Sequence, residues 1–283
     1  MDNDINKIEK IAVSVLTKGY DNINAYQMLI DRNNTIFNKI VNGSKYNFDL
    51  IIFHEGNITD EHQKYISSKS ILPIVFKDVR ECGNKKAFHS SRDLVNTELC
   101  PPTPRSSWFA LGYKHMCYFW SIDLFDYLSE YKYIMRIDED VLVTKFDDSV
   151  LDKIINDDIK FGAPLFCYYE GKLDGPDVMV GLQKLTEDFY EKHNHIPPMP
   201  FDDILGCYTN FMILNLDYFR NHKLVQAYLK EVDECNCIYS NRWGDASIWG
   251  IIVQALVDEP YYLLDMVEYY HGSHDRYVNK KED

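Results

Sequence analysis

The sequence has no apolar run approaching the roughly 18 residues that a membrane-spanning helix needs. Its first ten residues, MDNDINKIEK, are polar and acidic and lack the apolar core of a secretion signal. The expectation is a soluble, cytoplasmic chain, or a catalytic piece cut from an anchor; a virus-encoded origin is compatible with either. Basic residues are scarce, with 30 Lys and Arg against 44 Asp and Glu, a formal charge of −14. A nucleic-acid surface needs a concentrated positive field, so no nucleic-acid partner is expected. An acidic protein that handles phosphates does so locally, through a metal ion and a few basic groups. No glycine-rich, lysine-bearing phosphate loop follows the first apolar run, which speaks against a nucleotidyltransferase. The seven cysteines form no zinc-finger spacing; Cys235 and Cys237 have no second pair to complete a tetrahedral site. Mostly buried free thiols in a reducing compartment are expected. Internal repeats and low-complexity tracts are also missing.

What is present is an ordinary globular composition, 46% hydrophobic and 26% charged. Residues 11–16 (IAVSVL) form a short β-branched run closed by Thr17-Lys18-Gly19, a strand followed by a turn. Residues 21–40 carry apolar side chains at helical spacing, and strands are expected at 48–53 and 71–76 around a polar segment, 59–70. From 79 to 107 the pattern dissolves into a long loop with Pro101, Pro102 and Pro104 near its end. A helical pattern resumes at 108–128, and a strand at 131–137 breaks abruptly into three acids. Further on, strands are expected at 161–166, 208–214 and 261–264. Helices are expected at 178–193, after 214 through 230, and at 245–257, with an irregular loop around 197–200 and a frayed charged tail at 280–283. Strands alternating with helices at this spacing indicate α/β architecture and a largely parallel sheet.

Asp138-Glu139-Asp140 is the most telling local feature. Three acids after a buried strand repel one another unless they are solvated or share a cation. In parallel α/β sheets, ligands sit beyond the carboxyl ends of strands. Two carboxylates two residues apart at such an end can share Mg²⁺ or Mn²⁺ with a diphosphate. An exposed acidic turn or a helix cap reads the same triplet equally well. Arg242-Trp243-Gly244-Asp245 opens a helix, where Asp245 is either a cap or a carboxylate aimed into a cleft beside a sugar-stacking indole. In Tyr269-Tyr270-His271 the imidazole is a packed or exposed side chain or completes a metal shell, with His274 as a competitor. In Gly112-Tyr113-Lys114-His115-Met116-Cys117, residues 113–115 could meet phosphate or base, while Met116 and Cys117 have core character.

In this order the pieces are recognisable. The chain resembles glycosyltransferase family 15, the fungal α-1,2-mannosyltransferases that use GDP-mannose and Mn²⁺. Tyr113-Lys114-His115-Met116-Cys117 matches its Tyr-x-x-Met-Cys segment. Arg136-Ile137-Asp138-Glu139-Asp140-Val141 matches its Arg-Val-Glu-Pro-Asp-Val strand end, and Phe161-Gly162-Ala163 its Tyr-Gly-Phe-like strand. Thr209-Asn210-Phe211-Met212 stands for Ser-Asn-Phe-Glu, Arg-Trp-Gly-Asp-Ala is intact at 242–246, and Tyr270-His271 corresponds to a terminal Tyr-His element. The ordered match spans about residues 105–275. It implies a GT-A-like nucleotide-diphospho-sugar transferase fold: a mixed, mostly parallel sheet flanked by helices, in a single domain over residues 1–283. Residues 1–143 would form the nucleotide-sugar half and 144–283 the acceptor half.

Carried over, the resemblance implies that Asp138 and Asp140 belong to the metal-diphosphate site, with His271 as a further metal ligand. Lys18, Tyr113, Arg136 and Asp138 would bind the donor, and Asp245 and Asn210 would act at the reacting sugar or the acceptor. The implied activity is transfer of a hexose, mannose from GDP-mannose, to a sugar or glycoconjugate hydroxyl, retaining the α linkage. A UDP-hexose or GDP-fucose donor and a non-catalytic sugar-binding relative are the alternatives. Glu139 stands at the family's proline, a bystander's position, and Lys18 stands near its Arg-Asn pair. Met212 stands where the family has a glutamate proposed as nucleophile. A thioether cannot form the covalent adduct of a double displacement, so a front-face reaction is expected.

Overall fold

The computed structural model describes residues 10–80, 102–164, 166–167, 179–258 and 261–280. In chain order the strands are β1 (Lys10–Leu16), β2 (Asn47–His54), β3 (Ile74–Asp78), β4 (Tyr133–Ile137), β5 (Val141–Lys145) and β6 (Phe161–Ala163). They continue as β7 (Phe166–Cys167), β8 (Gly206–Cys207), β9 (Phe211–Asn215), β10 (Tyr261–Leu263), β11 (Glu268–His271) and β12 (Arg276–Val278). Seven of them form one sheet in the order β10-β6-β9-β4-β1-β2-β3. The β1–β2, β1–β4, β2–β3 and β6–β10 pairs are parallel, and β9 runs antiparallel between β4 and β6. The expected mixed, mostly parallel α/β sheet is thus the one observed.

The burial explains why the apolar runs became central strands. Ile11, Ala12, Val13 and Val15 of β1 are all fully buried, as are Phe211, Met212, Ile213 and Leu214 of β9, the signature of strands covered on both faces. One face packs into a core holding Trp120, Trp243 and Trp249, and the other into a core around Tyr133, Phe211 and Tyr269. Cys117, Cys207 and Cys235 are buried and outside any disulfide, as expected, whereas Cys237 is disulfide-bonded.

Three expectations shift. The strand expected at 71–76 begins only at Ile74, after Pro73, which has no N–H to give to a ladder. The polar segment is a helix, Asp60–Lys69, whose N-terminus is capped by the Thr59 hydroxyl; it buries only Ile66, so its apolar periodicity is weak. A small antiparallel sheet, β12-β11-β5, is also present and has no clear apolar pattern in the sequence. Most of the 79–107 loop and the end of the charged tail lie outside the described residues.

That small sheet matters for position. β5 leaves the acidic turn directly after β4, and β11 pairs with it so that His271 stands opposite Val141. The Gly272 N–H donates to the Asp140 carbonyl at 2.8 Å, which closes the arrangement. The helix Asp245–Ile251 runs against β8, and its approach is close because Gly250 has no side chain: a Cβ there would lie 2.2 Å from the Leu205 carbonyl oxygen. Gly250→Ala should therefore destabilise the fold by about 1–3 kcal/mol, as overpacked cores do. Its urea midpoint read beside the parent's checks this, and an unchanged midpoint would mean that the helix can move away freely.

Candidate active site

The carboxyl end of β4 opens into a cavity of about 270 Å³. Tyr113, Arg136, Asp138, Asp140, Asn210, Asp245 and His271 all line it, so seven of the eight residues singled out in the sequence meet at one place. They come from five separate stretches of chain. Lys18 is the exception: it is exposed after β1, its ammonium 5.2 Å from the Tyr20 ring centroid, and is not among the lining residues.

The organising group is Arg136, 2% exposed at the end of β4. Its Nε donates to Asp138 Oδ1 at 2.7 Å and its Nη2 to Asp138 Oδ2 at 3.1 Å, while Nη1 donates to Asp245 Oδ2 at 2.5 Å. The guanidinium also lies 4.6 Å from the Trp120 ring centroid. Burial alone would push Arg136 down, but the two carboxylates outweigh it and hold the group charged. Asp245 is buried at the start of its helix and also accepts from Thr209 Oγ1 at 2.7 Å. Burial pushes its carboxyl up, Arg136 and the Thr209 hydroxyl pull it down further, and the net shift is downward. The cap position of this helix is Gly244, and Asp245, the first helical residue, spends its Oδ2 on Arg136 and Thr209.

Opposite charge management is seen at Asp140. Its Oδ2 lies 3.6 Å from His271 Nε2 and accepts from the Ser273 N–H at 2.8 Å. The Tyr208 hydroxyl sits 2.5 Å from His271 Nδ1, which orients the ring. Burial pushes the imidazole below its ordinary value against the pull of Asp140, so near neutral pH it is uncharged and can offer a lone pair. Among the described residues no three His, Cys, Asp or Glu side chains converge as a ready metal cage. In the cavity Asp140 and His271 form an adjacent oxygen-nitrogen pair, whereas the Asp138 carboxylate is taken up by the Arg136 fork. A carboxylate and an imidazole suit Mn²⁺. A nucleotide-bound ion that completes its shell with phosphate oxygens and water needs few protein ligands, so the residues fit such an ion.

Asn210 supplies a different signal. Its Oδ1 accepts from the Tyr269 hydroxyl at 2.9 Å, but its buried Nδ2 has no partner. A buried donor left unpaired costs about 1–3 kcal/mol, and this one lines the cavity, where a ligand oxygen can take it. Met212 is fully buried in the core opposite Arg136 across β4 and β9 and does not line the cavity. Glu139 is not idle. It accepts from the Thr17 and Tyr20 hydroxyls, tying the acidic turn to the segment after β1.

Tyr208, which no sequence pattern marks, and Met116, expected in the core, also line the cavity. Thr209 sits in the quoted Thr-Asn-Phe-Met segment, and a hydroxyl beside Asn210 was the available sign of its role. Arg242 has φ 140, a region non-glycine residues rarely enter, and its Nη2 donates to the Tyr113 hydroxyl at 2.5 Å.

No protein-family model matches the chain. It is 26% identical over 243 residues to the probable mannosyltransferase KTR4 of Saccharomyces cerevisiae, covering 76% of this chain and 51% of that protein. The crystal structure of the mannosyltransferase Ktr4p from S. cerevisiae superposes with a TM-score of 0.71 at 20% identity, covering 93% of this chain and 70% of that one. The chain has a GT-A fold and is similar in sequence to fungal mannosyltransferases. Core-mannan synthase A (CmsA/Ktr4) from Aspergillus fumigatus, solved in its Mn/GDP form, superposes with a TM-score of 0.68 at 17% identity, covering 92% of this chain and 74% of that one. The chain spans about half the length of the KTR4 relative it matches. Among the described residues no helix is long and apolar enough to cross a membrane.

The Arg136–Asp245 pair has a pH signature. Because the Asp245 carboxyl is held low in the folded chain, its stabilisation is present above the unfolded carboxylate value and is lost as pH falls through the folded one. Asp245→Asn should lower stability at neutral pH toward the lower end of the about 3–5 kcal/mol seen when one partner of a buried pair is removed, since Arg136 keeps Asp138. The gap between parent and variant should narrow as pH is taken from about 5 toward about 2. Urea titrations across that range measure it, and a gap that stays constant would remove the ion pair from the account.

Proposed function

We propose that the chain is a metal-dependent glycosyltransferase that moves mannose from GDP-mannose to a hydroxyl of a sugar or glycoconjugate, retaining the α configuration. The observation that carries this reading is the Asp140–His271 pair sharing one cavity with a buried, ionised Asp245 and an unpartnered Asn210 amide. The relatives support the donor: one is named a probable mannosyltransferase, and a similar fold was solved with Mn and GDP. Both halves of the chain contribute to the cavity, residues 1–143 through Tyr113, Arg136, Asp138 and Asp140, and residues 144–283 through Asn210, Asp245 and His271.

Asp140 and His271 would hold Mn²⁺, which when bound neutralises charge developing on the leaving diphosphate. Arg136 acts through the carboxylates it aligns, because its guanidinium is already engaged by Asp138 and Asp245. The bond from the anomeric carbon to the diphosphate oxygen breaks with its electron pair going to the diphosphate. The acceptor oxygen then bonds to the same face, and its proton passes to the departing phosphate oxygen. Asp245, whose two bonds both fall on Oδ2, stabilises the positive charge that develops at the anomeric carbon. Asn210 Nδ2 donates to a substrate oxygen. With Met212 buried and lacking a carboxylate, no glycosyl-enzyme forms at that position.

GDP release should be seen with GDP-mannose and Mn²⁺, be abolished by EDTA, and exceed release from UDP-glucose, UDP-galactose or GDP-fucose. His271→Ala should raise the Mn²⁺ needed for half-maximal rate by at least about tenfold. Asp245→Asn should lower kcat about a hundredfold or more, the scale for removing a preorganised electrostatic partner. Intact-mass measurement after incubation with donor alone should show no added hexose. Turnover indifferent to EDTA, or a clear preference for another donor, overturns the corresponding part of the proposal.

A further inference from the structure

The four tryptophans are used in two opposite ways. Trp120, Trp243 and Trp249 are fully buried, whereas Trp108 is 78% exposed. An indole left in water forgoes the burial that makes it useful to a core. A single exposed aromatic is ordinary on a surface, so its setting decides whether it does something.

Trp108 ends the short turn Arg105–Trp108, and that turn is pinned. Ser106 is buried, exchanges bonds with Thr103, and its Oγ reaches the Ser240 carbonyl at 3.3 Å, two residues before Arg242. The next residue, Phe109, lies 5.3 Å from Tyr113 between ring centroids. The Arg242 guanidinium stands 4.6 Å from the Phe109 ring and 4.9 Å from the Tyr113 ring. Tyr113 and Arg242 in turn line the cavity. The turn that carries the exposed indole is therefore tied to the Ser240 carbonyl, and the residue after it, Phe109, begins a continuous row, Phe109–Arg242–Tyr113, whose other end is the wall of the proposed donor site.

We propose that Trp108 is the platform on which the acceptor carbohydrate stacks beside that site. A pyranose has an apolar face of C–H groups and a polar rim of hydroxyls, which suits an indole standing among polar groups. The surroundings favour a sugar over a lipid or protein partner. Arg105 and Ser107 beside the indole are exposed and polar, and Leu111 is the one other large apolar side chain exposed nearby among the described residues. A membrane or protein face would need a wide apolar patch. The assignment rests on the transferase reading above, because that reading places an acceptor next to the cavity.

The test uses the full chain, GDP-mannose with Mn²⁺, and methyl α-D-mannopyranoside and α-1,2-mannobiose as acceptors. Trp108→Ala should raise the acceptor KM about tenfold while leaving kcat and the GDP-mannose KM within about twofold. Trp108→Phe should recover most of the loss, which a merely structural role does not predict for an exposed site. An acceptor KM unchanged in Trp108→Ala overturns the platform. If the parent does not turn over GDP-mannose at all, the preceding proposal fails, and the platform is then judged by binding. Titration with α-1,2-mannobiose should blue-shift the parent's tryptophan emission and leave that of Trp108→Phe unmoved. No shift with the sugar, or a shift with phosphatidylcholine vesicles in its place, overturns it.

Discussion

The Arg136 guanidinium is the constraint on which the site depends. One buried cation is shared by two carboxylates from distant parts of the chain: Asp138, two residues along, and Asp245, at the start of a helix more than a hundred residues later. Burying either carboxylate without that partner would be costly. With it, the end of β4 and the helix Asp245–Ile251 are locked in register, and the Trp120 ring beneath the guanidinium restricts where it can go. A second buried arginine stiffens the same place from behind. Arg32 Nε and Nη2 donate to the Ile137 carbonyl at 3.0 and 2.7 Å, and Nη2 also reaches the Ser14 carbonyl at 3.3 Å. The acidic turn thus leaves a strand end that is held on both sides.

Division of labour follows from this arrangement. Asp138 faces the guanidinium, Asp140 faces His271, and Glu139 is turned to the hydroxyls of Thr17 and Tyr20. Three adjacent acids lessen their mutual repulsion by pointing at three different partners, although Asp140 still pushes the carboxyls of Asp138 and Glu139 upward. The absence of a carboxylate at Met212 fits the same picture, because that position lies in the core behind Arg136 and not in the cavity. Electrostatic alignment, not a carboxylate on β9, is what this cavity presents.

The order of strands and helices was legible from the sequence because buried central strands are continuous apolar runs, as in β1, β4 and β9. Elements with little to bury were not: the helix Asp60–Lys69 hides one side chain, and β5, β11 and β12 are short strands of a partly solvated sheet. Of the candidate site, Asp138, Asp140, Asn210, Asp245 and His271 could be picked by residue type and motif order. Tyr208 could not, since a tyrosine before a strand has no distinctive pattern, and its role exists only through the His271 ring it orients.

By itself the sequence determined the α/β class, the acidic strand end and most of the polar residues that line the cavity, because periodicity and functional-group identity are local properties. Tertiary structure alone decided which of those residues meet. It paired β11 with β5 so that His271 stands beside Asp140, and it brought Asp245 to Arg136. It also left the Asn210 amide unpartnered in the cavity wall and Lys18 outside it. Distances between groups a hundred residues apart are set by packing and strand register, and neither is written in any short stretch of chain.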